Sequence, residues 1–431
     1  MAKKSLLLIA IIMAVIIGFN FQLFETKEVD AVCSWDKPYT NHIDPFTCYL
    51  RIPFQLNEND TLNFANEINE TEIFGVYFWL PLHTRYRWDI DFVPRSIFSK
   101  FPNLKYFSLP GRIENIWPND FINASNLMEL SIGNQLQLIP EHVFSSMNKL
   151  ELLDLSTNKI KSIQQNGFNG LNNLRTLKLS RNHLVKLPAN TFDGSQALEV
   201  LLLNNNQLES IEDGAFKLRQ LKHLDLSYNK LSQLSEHIFI DCNRLEYLDL
   251  KSNRLTAIKQ AIYHLHRLNT LNMDNNRIGD INLRRLSELC HLENLSIENN
   301  RKALNDNIFV DNNNKNSNNN SSSQTAYNGS KKPALKNLYL SGNTIKNREI
   351  LVRLWSLGLH SHLEKLYIDD NAFEFIDFYP ISAFIKLEEI NLGRNYWKCD
   401  WLEQTIERLE ADGIEVNLFS SHFPSSSSVK H

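Results

Sequence analysis

Leucine recurs along this chain on a fixed frame. In "LKHLDLSYNKL" (residues 221–231) and again in "LEYLDLKSNRL" (residues 245–255), leucines take the first, fourth, sixth and eleventh places and an asparagine takes the ninth. The frame begins at Leu104, Leu127, Leu150, Leu174, Leu198, Leu221, Leu245, Leu268, Leu292, Leu335, Leu363 and Leu387, which we number coils one to twelve. Steps are twenty-three or twenty-four residues, except 43 from Leu292 to Leu335 and 28 from Leu335 to Leu363. Two early units depart: Arg112 stands at the ninth place of coil one, and coil two has its asparagine one residue early, at Asn134. A degenerate thirteenth unit starts at Ile73, with Val76 and Phe78 inward. A phenylalanine precedes the following frame by five or six residues at Phe98, Phe121, Phe144, Phe168, Phe192, Phe216 and Phe239.

Apolar residues at places four and six, with polar neighbours between them, predict a short strand with one buried face. Repetition at this period predicts parallel strands stacked about 4.8 Å apart, each covering the core of the last. The phenylalanine brings the returning segment back into the same core. Where the chain turns off the strand, its backbone groups point inward, and an asparagine amide can both donate to and accept from them. A ladder is therefore expected from Asn158, Asn182, Asn206, Asn229, Asn253, Asn276, Asn300, Asn343, Asn371 and Asn395. This pattern is identified as an α/β leucine-rich repeat solenoid over residues 73–397. It implies a curved parallel sheet on the concave face, an irregular or short-helical convex side, and capped ends.

The ends supply candidates for those caps. Cys33 and Cys48 precede the first coil and are expected to close a small disulfide loop within an N-terminal cap, residues 32–72. In "NYWKCDWLEQTIERLEADGIEV", Leu402, Ile406 and Leu409 stand at i, i+4 and i+7, which predicts an amphipathic capping helix within residues 398–420, over Trp397 and Trp401. Residues 421–431 read as a disordered tail. Between coils nine and ten, the Asn/Ser-rich stretch 305–334 reads as a disordered loop.

The N-terminus changes the picture of where the protein works. Lys3 and Lys4 precede the unbroken apolar run Leu6–Phe19, too short to span a bilayer comfortably and suited to a secretory signal over residues 1–31, with Ala31 at the cleavage point. A secreted, extracellular product with no membrane span is expected; an uncleaved signal anchor is the alternative. In that compartment the sequons at Asn59, Asn69, Asn123, Asn294, Asn319, Asn320 and Asn328 are glycan acceptors, Asn294 among them on the concave side. Five cysteines leave at least one thiol free or paired between chains. Cys242 and Cys290, two strand spacings apart at roughly 10 Å, read as packed thiols, which makes Cys399 the candidate interchain cysteine.

A net charge of −4 gives no broad basic field for nucleic acid. Catalysis and cofactors find no support: the histidine pairs at 264–266 and 360–362 have no partners at metal-ligand spacing, and no phosphate-cradling glycine loop or nucleophile elbow occurs. Aspartates such as Asp154, Asp225 and Asp249 share the fifth place and read as solvated strand positions. Binding is the remaining function, and the outward strand places are where a curved solenoid meets a partner. The expected protein-binding surface lies on the central coils: a basic group of Arg175, Lys178 and Arg181, exposed Val200 and Leu202, then Asp225, Tyr228, Tyr247, Asp249 and Asp274.

The signal, the two-cysteine N-cap, the 24-residue coils and the "NYWKCDWL" ending resemble the mosquito leucine-rich repeat immune proteins. The resemblance implies a secreted, non-enzymatic protein-binding module of innate immunity, some of whose relatives assemble through a disulfide. In that family the chain usually continues into further cysteines and a coiled coil; here "FSSHFPSSSSVKH" follows with no heptads and no cysteine after Cys399, as in a short member. An adhesive or matrix protein, or a surface receptor held by an uncleaved anchor, is the competing reading.

Overall fold

The computed structural model of the 431-residue chain describes the backbone of residues 28–34, 47–51, 61–64, 73–78, 92–279, 281–300, 304, 306–309, 333–377 and 381–418. For the first three segments only the backbone is described. The apolar run Leu6–Phe19, the sequons at Asn59, Asn69, Asn319, Asn320 and Asn328, the Cys33 and Cys48 side chains and the tail from residue 421 lie outside the described residues.

Alternating places three to five become a strand in every coil. Leu152–Asp154, Thr176–Lys178, Val200–Leu202, His223–Asp225, Tyr247–Asp249, Thr270–Asn272 and Asn294–Ser296 pair in succession, all parallel, with equal places opposite one another. The sheet runs on through Asn337–Tyr339, Lys365–Tyr367 and Glu389–Asn391. At its start, Gly75–Phe78 pairs in parallel with Tyr106–Leu109 of coil one, so the degenerate unit at Ile73 is a coil of the same sheet. Before it come Thr47–Arg51, and Glu28–Ser34 antiparallel to that strand. Glu28–Ser34 crosses Ala31, the expected signal cleavage point.

The leucines of places one, four and six are buried throughout the central coils, Leu245, Leu248 and Leu250 for example having no exposed surface. The seven phenylalanines form a column behind them, neighbouring ring centroids lying 5.7–6.3 Å apart from Phe98 to Phe239. Burying each of these side chains contributes roughly 1.5–3 kcal/mol, and only because the adjacent coil covers it.

The ninth-place asparagines carry the turn. Asn253 Nδ2 donates to Leu250 O of its own coil at 3.0 Å and to Leu226 O of the preceding coil at 2.9 Å, while its Oδ1 accepts the Leu231 N–H at 3.0 Å. Asn158, Asn182, Asn206, Asn229 and Asn276 repeat the arrangement, and Asn300, Asn343, Asn371 and Asn395 carry it to the end with small changes of acceptor partner. The residue just before each of these asparagines is left-handed: from Thr157 in coil three to Arg394 in coil twelve, place eight has φ between +50° and +69°. The chain reverses there so that the next side chain can point inward. Asn205, Asn275, Asn299 and Gly342 suit the conformation, whereas Thr157, Arg181 and Tyr228 adopt it at a steric cost.

The C-terminal end closes with the helix Cys399–Ala411, on which Leu409 is fully buried. Trp397 stacks between Phe373 and Trp401 at 5.7 and 4.8 Å, and Trp401 and Leu402 pack on the core. Thr405 is more deeply covered than Ile406, and the chain then adds a further parallel strand, Glu415–Asn417, to the sheet edge. The start of the insert departs from the disordered loop expected from residue 305. Asp306–Phe309 form a 3-10 turn, Ile308 is buried, and Asp306 Oδ1 accepts the Lys346 and Asn347 N–H groups. One apolar side chain and one carboxylate anchor this stretch, while residues 310–332 lie outside the described residues.

Candidate protein-binding face

Places three and five point out of the concave sheet, and places seven and eight border them along the edge where each strand ends. Register sets the neighbours: His223 stands opposite Tyr247, and Asp225 opposite Asp249.

The basic group of coil four is neutralised. Arg175 Nη1 lies 2.9 Å from Glu199 Oε1, Lys222 Nζ 2.7 Å from Glu199 Oε2, and Lys178 Nζ 3.8 Å from Asp154 Oδ2. The hydrogen bond from Lys222 is the main reason the Glu199 carboxyl sits below its usual range. Arg181 is at the left-handed eighth place and exposed, away from Arg175 and Lys178 along the strand. Val200 and Leu202, expected to be exposed, are half-buried, flanked in register by Thr176 and Lys178 on one side and His223 and Asp225 on the other.

Coils six and seven carry the aromatic part. The Tyr247 ring stacks on His223 with centroids 4.2 Å apart and planes 5° apart, and its hydroxyl donates to Asp249 Oδ2 at 3.4 Å. Tyr228, half exposed, stands at the eighth place of coil six, so it flanks the fifth-place row instead of joining it.

The aspartates correct the reading of solvated strand positions. Asp225 is half-buried, Asp249 is buried and Asp274 keeps only 1% of its surface. The reason is local. A fifth-place carboxylate turns back to accept the N–H two residues on, as Asp154 does from Ser156, Asp225 from Ser227 and Asp249 from Lys251, at 2.8–2.9 Å. Asp274 is at the seventh place, where its Oδ1 accepts the Ser296 hydroxyl at 2.6 Å and the Glu298 N–H at 2.7 Å from the next coil.

These groups bring in residues that the frame alone did not mark. Glu298 and Asp369 follow Asp274 along the seventh-place row, with Ser341 between them donating to Asp369 Oδ1 at 2.5 Å. Burial, then the charges of Asp225 and Asp274, push Asp249 up to about 7. Burial, then Asp274 and Asp369, push Glu298 up to about 8. Burial likewise raises Asp225, Asp274 and Asp369. Lys251 is the cation that opposes the shifts of Asp249, Asp274 and Glu298. Two buried carboxylate oxygens, Asp274 Oδ2 and Glu298 Oε1, have no hydrogen-bond partner among the described residues. The signal for this row was the recurrence of acids at the seventh place.

Asn294 has its amide engaged across three coils: Nδ2 reaches Thr270 Oγ1 at 3.3 Å and Oδ1 accepts from Asn337 Nδ2 at 2.7 Å. Asn123 is exposed. Cys242 is buried, its thiol donating to Phe216 O at 3.4 Å and pushed up to about 12 by burial. Cys290 is half-buried, its Sγ 3.4 Å from His291 Nδ1, and Cys399 is an exposed free thiol at the first residue of the capping helix.

Family models match three stretches: a BspA type leucine rich repeat region of six copies over residues 91–206, a leucine rich repeat over residues 196–255, and leucine rich repeats of two copies over residues 243–285. The fold is a leucine-rich repeat solenoid. A comparison with curated protein sequences gives no match. Among solved structures, this solenoid is similar to one in the mosquito LRIM1/APL1C complex, at 21% identity over 92% of this chain and 68% of that one, with a TM-score of 0.62. It is also similar to a leucine-rich repeat protein of Leptospira interrogans, at 21% identity over 80% and 84% of the two chains, with a TM-score of 0.60. A chain of the Drosophila Toll–Spatzle complex matches at 23% identity and a TM-score of 0.54, over 78% of this chain and 47% of that one, so the solenoid spans about half of the Toll-complex chain. At these identities the likeness establishes the fold. No helix among the described residues is long and apolar enough to cross a membrane.

Proposed function

We propose that the protein is a secreted, non-enzymatic binding module that recognises another protein on the concave face of its central coils, in an immune-type role. One observation carries the reading. The inward places and the asparagine ladder form the core, while outward places of coils four to nine hold charge and aromatic surface that this core does not use. Two of the similar structures are assemblies, LRIM1 with APL1C and Toll with Spatzle, the latter described as a hub in development and innate immunity. The signal-like N-terminus supports secretion. In this reading Arg175, Val200, Leu202, Asp225, Tyr228, Tyr247 and Asp249 form the contact region, together with Glu199 beside Arg175 and His223 beside Tyr247.

The test uses the full chain expressed in insect cells. Partners captured from extracellular fluid are compared between the wild type, Tyr228→Ala with Leu202→Asp on the concave side, and Asp213→Arg on the returning convex segment. Loss of about tenfold or more in affinity confined to the concave pair is expected for central interface residues. Equal capture by all three would defeat the reading.

A further inference from the structure

We propose that coils six to nine form a subsite for a cationic side chain, an arginine or lysine presented by a basic segment of the protein partner. It would seat against Asp225 and Asp249, flanked by Tyr228 and Tyr247, with the negative charge of Asp274 and Glu298 behind it. The inference rests on the concave face being the binding face and names the chemistry it selects.

The fifth place of a coil accepts side chains as different as Lys178, Leu202 and Tyr339. Where a side chain there accepts the N–H two residues on, a neutral amide serves as well as a carboxylate: Asn272 Oδ1 accepts from Asp274 N–H at 3.0 Å, and Asn391 Oδ1 from Gly393 N–H at 3.1 Å. The charge on Asp225 and Asp249 is therefore surplus to the fold, and it is held where burial opposes it. Register sets the two carboxylates on adjacent strands, about 4.8 Å apart along the sheet. Two further observations point to a missing positive group. Asp274 and Glu298 are both more than nine-tenths buried, and each keeps one carboxylate oxygen with no donor among the described residues. Around them stand Asp225, Asp249 and Asp369; Lys251 acts on Asp249, Asp274 and Glu298 together, and Arg394 on Asp369. A carboxylate pair rimmed by aromatic rings suits a guanidinium or ammonium, which gains from the ring faces as well as the charges. Among the described residues no three His, Cys, Asp or Glu side chains are placed to hold a metal ion, which favours an organic cation over a divalent one.

The subsite has a second signature. Asp249 faces Asp225, Asp274, Lys251 and the Tyr247 hydroxyl, and Tyr247 in turn faces His223; Glu298 faces Asp274, Asp369, Lys251 and Ser341. Asp249 and Glu298, pushed up to about 7 and about 8, hold protons near neutral pH, so a bound cation expels them, and binding tightens as pH rises.

The experiment titrates the full chain with an arginine-rich octapeptide and with its citrulline counterpart, which has nearly the same shape and no charge. Calorimetry is run at about pH 6 and about pH 8, in buffers of different ionisation enthalpy. We expect the arginine peptide to bind at least about tenfold tighter than the citrulline peptide, with protons released and with affinity higher at the upper pH. In Asp225→Asn with Asp249→Asn, which keeps both backbone bonds, the preference should vanish while the melting temperature holds or rises. Glu298→Gln should keep the arginine preference and reduce the proton release. Equal binding of the two peptides, or an unchanged preference in the double variant, would overturn the inference. So would saturable calcium binding that excludes the peptide, which would assign the charges to a metal. If concave substitutions still abolish partner capture while the peptides bind equally, only the cationic subsite falls. If they leave capture intact, the binding-face reading falls as well.

Discussion

Replacing Asn253 by alanine removes four interactions of unequal worth. Leu226 O and Leu250 O each accept from two ladder amides, Leu226 O from Asn229 and Asn253, and Leu250 O from Asn253 and Asn276. After truncation each carbonyl keeps one donor. The weak contact to Lys251 O at 3.4 Å matters little. The Leu231 N–H is different, because Asn253 Oδ1 is its acceptor and the site is buried. Leaving that donor unpaired costs about 1–3 kcal/mol, and weakening two carbonyls adds roughly 1 kcal/mol, so the expected loss is about 2–4 kcal/mol. Urea denaturation measures the total, and hydrogen exchange of a peptide covering Leu226–Leu231 locates it, with protection at Leu231 falling first. Asn253→Asp separates donor from acceptor. At neutral pH it keeps the acceptor but turns a second carboxylate oxygen onto two carbonyls, so it should be worse than alanine. In acid its protonated form can donate again, and the gap should narrow. A loss under about 1 kcal/mol with Leu231 still protected would refute the view that the ladder is held by its donors to place nine.

Thr157, a β-branched residue at φ +60° and exposed, should give way to asparagine with a gain of about 1 kcal/mol in chemical denaturation; no gain would mean place eight is not strained. The folded protein holds the Asp249 proton up to about pH 7, while the unfolded chain releases it near 3.8, so stability should fall as pH rises between those values. Asp249→Asn should make that slope shallower, the other raised acids keeping the rest, and raise stability at about pH 8, with an upper bound of about 4 kcal/mol; a melting curve equal to wild type across pH would contradict this. In protein secreted from insect cells, peptide mapping should find a glycan on exposed Asn123 and none on Asn294, whose amide is bonded to neighbouring coils. Cys399, exposed at the start of the capping helix, should give a reducible higher-mass band on a gel that Cys399→Ser abolishes, and a monomer in both lanes would rule out that linkage.

The solenoid was legible because its frame is written twelve times, and each inward leucine meets the same surroundings as its counterpart one coil away. The phenylalanine column and the helix over Trp397 follow from the same regularity. What the frame could not show depends on neighbours twenty-odd residues distant. Aspartate stands at the fifth place of coils three, six and seven, yet Asp154 is half-buried beside Lys178 while Asp249 is buried between Asp225 and Asn272. The basic group at Arg175 and Lys178 reads as free in the sequence because Glu199 and Asp154, its partners, come from the adjacent coils. Ile308 was hidden by composition, one anchoring side chain averaged into an Asn/Ser-rich stretch. The strand Glu415–Asn417 is as long as the coil strands, but the leucine and asparagine frame that marks those does not surround it.

The position of the acidic stretch along the stack bears on why the fold tolerates it. In a solenoid each coil is stabilised chiefly by its two neighbours, so a coil at either end has half the support of one in the middle. Coils six to nine lie between coils one to five on one side and coils ten to twelve with the capping helix on the other. Carbonyls there are bonded twice over by the ladder, and an unfavourable carboxylate therefore meets a backbone with partners in reserve. The same four acids placed at coil twelve would add their repulsion to an edge that Trp397, Leu409 and one short strand already have to close. Buried charge is concentrated where the architecture can carry it and where the fold gains nothing from it, which is the arrangement expected when the stabilising partner for that charge arrives from outside.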